Sequence, residues 1–180
     1  MARVDWRIST GHLEVLRDMV LEAVSDHDNK VAAKITTQDC LTAYIVNVLN
    51  RCLGSSIHMI TNAASYRHSD APFVHPDVAG NLIYIVRSEV MPPYSKGVGT
   101  IATVIRKSII EWRQAVFISN WMSAASYLMH AAALEGKQHF FLPQPDVLAV
   151  NSNLSLDWRV VNFGFPEPSQ FFTSGVSKFY

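Results

Sequence analysis

Alternating and helically spaced apolar residues divide the chain into elements. Val4, Trp6 and Ile8 alternate with polar neighbours, as in a half-buried strand. Ser9, Thr10 and Gly11 then open a helix whose apolar face is Leu13, Leu16, Val20, Ala23 and Val24. Residues 26–30 read as a polar loop. Thr36 and Asp39 form a capping-box pattern, in which each side chain satisfies the other's backbone N–H at a helix start. The helix they announce carries Leu41, Ile45, Val48 and Cys52 on its core face, widened by Tyr44 and Leu49. Residues 57–64 read as a strand and 67–80 as a loop containing Pro72 and Pro76. Residues 82–86 are a nearly continuous apolar run, suited to a buried strand.

Pro92, Pro93, Gly97 and Gly99 make residues 91–99 the clearest break in the chain. Beyond it, Ile101, Val104, Ile105, Ile109 and Trp112 mark one helix, and residues 120–134 a second. A loop at 136–145 leads to short strands at 147–150, 158–163 and 171–180. The expected fold class is α/β in the broad sense (α+β), a mixed sheet backed by helices in one domain spanning residues 1–180. The regular strand–helix alternation of a doubly wound fold is missing.

Composition sharpens this picture in three ways. Hydrophobic residues make up 49% of the chain and charged ones 17%, so apolar surface is left over for a partner. Fifteen basic residues balance fifteen acidic ones without a basic block, so the electrostatic footprint of a nucleic-acid binder is missing. Residues 124–134 are the most apolar stretch, too short to cross a bilayer, and the first thirty residues lack a signal-peptide core. A soluble, cytoplasmic protein with no membrane partner is expected. Cys40 and Cys52 fall on one helix, ~18 Å apart at 1.5 Å per residue, too far for a disulfide and in keeping with free cytosolic thiols.

Candidate chemistry is sparse. His68, Asp70, His75 and Asp77 gather metal-ligand types in one loop but match no closed-site spacing, so a solvated loop is the simpler reading and no metal is expected. Gly97, Val98, Gly99 and Thr100 precede a helix and could offer backbone N–H groups to an anion, although a linker needs glycines in any case. None of the seven histidines stands near a serine or cysteine in a pattern that specifies a nucleophile.

Residues 151–168, NSNLSLDWRVVNFGFPEP, resemble the closing signature of the BAHD-type acyl-CoA-dependent acyltransferases. That family ends on Asp-Phe-Gly-Trp-Gly-Lys-Pro, preceded at fixed distance by Thr-Ser-Trp. Asn162, Phe163, Gly164, Phe165, Pro166, Glu167 and Pro168 fall on the first motif without a gap, and Asn151, Ser152 and Asn153 on the second. Phe163, Gly164, Pro168 and Ser152 are identical to the family residues and the others differ. Further blocks occur in the family's order. Residues 35–43 resemble the Ser-x-x-Asp-x-Leu-x-Ala helix start of the second domain. Residues 62–67 resemble the strand ending in Asp-x-Arg, with Arg67 on the arginine. Ala79, Gly80 and Asn81 resemble Phe-Gly-Asn, and Ile105 and Arg106 resemble the Ile-Arg pair of the following helix.

The resemblance implies a chloramphenicol-acetyltransferase-like domain, one of two that enclose a channel where an acyl group passes from coenzyme A to a hydroxyl or amine. It implies that Asn151 faces the oxyanion, that Asn81 and Arg106 line the coenzyme channel, and that Arg67, Gly80, Asn162, Phe163, Gly164 and Phe165 are structural. Acyl-CoA and a small-molecule acceptor are the implied substrates, with no tightly bound cofactor. The family's general base is the histidine of His-x-x-x-Asp in the first domain, and no histidine here has aspartate four residues on. The chain is therefore expected to be the C-terminal half alone, truncated, inactive by itself, and prone to self-association through the uncovered face. A non-catalytic binding module derived from that domain is the alternative.

Overall fold

Period-two alternation places every second side chain of residues 59–65 and 83–89 on one side of a small sheet. In the computed structural model, which describes residues 7–24, 29–53, 56–67, 69–75, 77, 82–90, 97–137, 146–152 and 164, β1 (Met59–Ser65) runs antiparallel to β2 (Ile83–Glu89). Met59 lies opposite Glu89 and Ser65 opposite Ile83. β3 (Val147–Val150) joins the other edge of β1 in parallel, with Met59 opposite Val147 and Asn62 opposite Val150. The strand order is β2-β1-β3, a mixed sheet.

One face of this sheet is core. Ile60, Asn62, Tyr84, Val86 and Ser88 are buried on it, and Leu148 and Val150 of β3 pack against the same cluster. Helix α1 (Thr10–Val24) contributes Val20 and Val24 to that core. Cys40, Ala43 and Val46 come from α3 (Thr37–Cys52), and Ile101, Ala102 and Ile105 from α4 (Gly97–Trp112). On the opposite face Met59, Thr61, Ala63 and Ile85 are half-buried, while Ile83, Arg87 and Glu89 are exposed. Helices with a small three-stranded mixed sheet make the class a mixed α/β one.

A second cluster forms where α5 (Ala115–Leu134) meets the sheet, around Tyr66, Tyr84, Val86 and Ile118. Tyr84 meets Tyr66 and Trp121 edge-on, at centroid distances of 5.9 and 6.1 Å. Its hydroxyl donates to the Trp112 carbonyl at 3.1 Å, giving a buried phenol the polar partner it needs.

Several expectations are corrected by this packing. The α3 core face is Asp39, Cys40, Thr42, Ala43 and Val46, almost opposite the anticipated stripe, in which Leu41, Ile45 and Val48 are half-buried and Cys52 is exposed. Two polar residues were internalised there, and an apolar pattern cannot select a face that carries them. β2 runs three residues beyond the expected end and alternates buried with exposed positions, so it is covered on one face, not two. The segment read as a loop at 26–30 contains the start of a one-turn helix, α2 (Asn29–Ala32). α4 begins at Gly97, inside the expected break, and α5 begins five residues before the expected start. Ile8 is exposed and irregular rather than part of a strand. The remaining positions of that strand, and the strands expected at 158–163 and 171–180, lie outside the described residues.

Candidate functional site

The first turn of α3 is the most densely hydrogen-bonded polar spot in the described structure. Thr36 caps it from an extended conformation (φ −105°, ψ 163°), and the reciprocal capping box is complete. Asp39 Oδ2 accepts from the Thr36 backbone N–H at 2.7 Å and from its hydroxyl at 2.8 Å. The same oxygen accepts from Arg106 Nε at 2.9 Å and Nη2 at 2.5 Å, and Nη2 also donates to Thr36 Oγ1 at 3.0 Å. The Asp39 side chain is 1% exposed and that of Arg106 12%. A buried carboxylate is tolerated because a cation and several donors meet it, and this one ties α3 to α4 across 67 residues of sequence. Asp39 Oδ1 is buried with no hydrogen-bond partner among the described residues. The thiol of neighbouring Cys40 is pushed up to about 11, first by burial and then by the Asp39 charge.

Gln38, one residue before Asp39, reaches a different partner. Its amide donates to Thr42 Oγ1 at 3.1 Å, and its carbonyl accepts from Ser152 Oγ at 2.8 Å. The chain just past β3 is thereby held on the start of α3, because β3 is registered against β1 up to Asn62 and Val150. Asn151 is exposed in this segment, beside the half-buried Ser152. Neutral amide and hydroxyl donors at an open surface, backed by a charge-balanced pair, can hold a carbonyl oxygen or a developing oxyanion. They cannot act as a general base near neutral pH.

The described histidines do not supply that base. His58 Nε2 lies 3.3 Å from Asp146 Oδ2 where β1 and β3 begin, whereas Asn151 lies where β3 ends, about 17 Å along at 3.3 Å per residue. His12 pairs with Ser9, His75 with Asp77, and His130 is exposed on α5. No group of three His, Cys, Asp or Glu that could hold a metal occurs among the described residues. His75 and Asp77 of the histidine-rich loop are 3.9 Å apart and largely exposed.

Of the residues singled out in the sequence, Arg106 meets the start of α3 at Asp39, and Asn151 precedes Ser152, which meets it at Gln38. Arg106 is an internal tie, with its Nε and Nη2 both engaged by Asp39 and Thr36. Arg67 follows the end of β1 and donates its backbone N–H to Ser65 Oγ at 3.2 Å. Gly164 has φ +86°, a left-handed conformation that a side chain would strain. Gly80, Asn81, Asn162, Phe163 and Phe165 lie outside the described residues. Gly99 is a packing position: a Cβ there would stand 3.2 Å from both Ala23 Cβ and Val24 Cγ2, so its small size lets α1 close on α4. Gln38 and Ser152 were missed in the sequence because a glutamine and a serine 114 residues apart carry no pairing signal. Asp39 carried only its capping-box signal, which is complete within one turn and says nothing of a cation arriving from α4.

No helix among the described residues is long and apolar enough to cross a membrane. No protein-family model matches the chain, and no curated protein sequence matches it.

Proposed function

We propose that the chain acts as the second domain of an acyltransferase with chloramphenicol-acetyltransferase-like architecture, moving an acyl group from coenzyme A to a hydroxyl or amine. The observation that carries this reading is the Ser152–Gln38 hydrogen bond. It joins the block resembling the family's Thr-Ser-Trp to the block resembling the opening helix of its second domain, two segments whose likeness was read independently along the sequence. The Asn151 amide, exposed beside that bond, donates to the oxyanion as the tetrahedral intermediate forms. Gln38 and Ser152 set the position of Asn151, and Arg106 with Asp39 fixes the helix start on which they rest. Acyl-CoA and the acceptor are substrates here: the acceptor oxygen or nitrogen bonds to the thioester carbon as its proton goes to a histidine of a His-x-x-x-Asp domain, and as the C–S bond breaks that proton passes to the departing coenzyme A thiolate.

An acetyl-CoA transfer assay on this chain alone, and on this chain joined to such a domain, tests the proposal. The expected result is no turnover alone and turnover in combination. Asn151→Ala should then lower kcat by about 10²–10³-fold, the usual cost of one oxyanion donor. Turnover by the isolated chain that survives replacement of all seven histidines, or none in any combination, overturns it. A second reading, a non-catalytic binding module, is favoured by the enclosure of Arg106 and by the open apolar surface of α5. It predicts binding of a partner without acyl transfer.

A further inference from the structure

Helix α5 is twenty residues long and carries no Asp, Glu, Lys or Arg. Ile118 and Ala132 are buried on the side toward the body of the protein. The opposite side is open: Val116 is 58% exposed, Tyr127 73% and Leu134 76%, and Asn120, Ser123 and His130 between them are exposed as well. These six positions follow one another at intervals of 4, 3, 4, 3 and 4 residues, the spacing of a seam along which one helix meets another. The three apolar side chains of this stripe leave on the order of 400 Å² of surface open. That is about half of the roughly 800 Å² per partner of a standard interface, and the exposed Asn120, Ser123 and His130 side chains add to the surface that pairing would cover.

We propose that this face binds a second copy of the chain, α5 against α5 in antiparallel orientation about a two-fold axis. The order of residues along the seam argues for this occupant. Reversing the helix sets Val116 against Leu134, Asn120 against His130 and Ser123 against Tyr127. Apolar meets apolar, an amide meets an imidazole that can share a hydrogen bond with it, and the smallest side chain of the six meets the largest. A parallel pair would instead oppose each residue to itself, crowding two tyrosines and leaving a gap between two serines. The absence of formal charge removes the like-charge repulsion that symmetric self-pairing usually has to avoid. Asn120 facing His130 across the pair supplies a polar contact of the kind that fixes register in such seams. The proposal is independent of the acyltransferase reading, since α5 contributes none of the residues assigned to that chemistry.

Sedimentation of the full chain at tens of micromolar tests it. A dimer is expected, and Tyr127→Asp should convert it to a monomer with an unchanged far-ultraviolet circular dichroism spectrum. Asn120→Glu and His130→Lys should each weaken association at least tenfold. The chain carrying both should recover it, because opposite charges then face each other across the antiparallel interface, and this recovery should fade at high salt. A monomeric wild-type chain, a polydisperse aggregate, a dimer indifferent to Tyr127→Asp, or a double variant no tighter than the singles overturns the proposal. A monomer would leave the face to a different chain.

Discussion

Replacing Arg106 by methionine should destabilise the protein more than any substitution at its surface. The change keeps most of the aliphatic volume but removes the two donors that meet Asp39 Oδ2 and the one that meets Thr36 Oγ1. Asp39 is 1% exposed, so water cannot replace the lost cation, and Oδ1 already lacks a partner among the described residues. Removing one member of a buried pair typically costs about 3–5 kcal/mol, most of it the penalty of the stranded charge. Arg106 itself is slightly open to solvent, which places the expected loss toward the lower figure. For a chain of this length each kcal/mol lowers Tm by about 2–4 °C, so a fall on the order of 10 °C is expected. Urea denaturation followed by circular dichroism measures the loss, and Arg106→Met combined with Asp39→Asn should regain part of it by removing the stranded charge. A loss below about 1 kcal/mol, the range of exposed pairs, would refute the internal-tie interpretation. So would a double variant less stable than Arg106→Met alone.

Two further outcomes follow from the packing of α3 and α4. Gly99→Val should cost about 1–3 kcal/mol, because the added atoms meet Ala23 and Val24 of α1 at 3.2 Å, and thermal denaturation reads the loss directly. In the native protein a thiol reagent near pH 8 should label exposed Cys52 readily and buried Cys40 only after unfolding, as mass spectrometry of the labelled chain would show. Because burial holds the Cys40 proton to about 11 in the folded state against 9.0 ordinarily, its contribution to stability is complete below about pH 9 and is lost as the pH rises toward 11. Cys40→Ser should flatten that part of a stability–pH profile.

Local signals in the sequence were sufficient for most of the elements. The capping box at Thr36 and Asp39 marks the start of α3 without any tertiary help, because both partners lie within one turn. The helical spacing from Ile101 to Trp112 and the strand reading of residues 57–64 likewise depend on neighbours a few residues away, and the structure contains α4 and β1 at those places. The candidate site was legible only as isolated residues: Arg106 and Asn151 could be named, but not what they touch.

What tertiary structure decided is which surfaces face inward, and α3 shows why. Its own pattern favours Leu41, Ile45 and Val48, yet the buried side carries Asp39 and Thr42. Turning that side inward is possible because Arg106 arrives from α4 to neutralise Asp39 and Gln38 hydrogen-bonds Thr42. The free energy that selects the face thus resides in a contact 67 residues away in sequence, which no window along the chain contains. The same holds for Gly99, whose need for a missing side chain is set by α1, and for Ser152, whose partner Gln38 is reached only after β3 has paired with β1. Secondary structure is encoded in short-range spacing and capping, whereas burial of polar groups depends on partners that only folding brings within hydrogen-bonding distance.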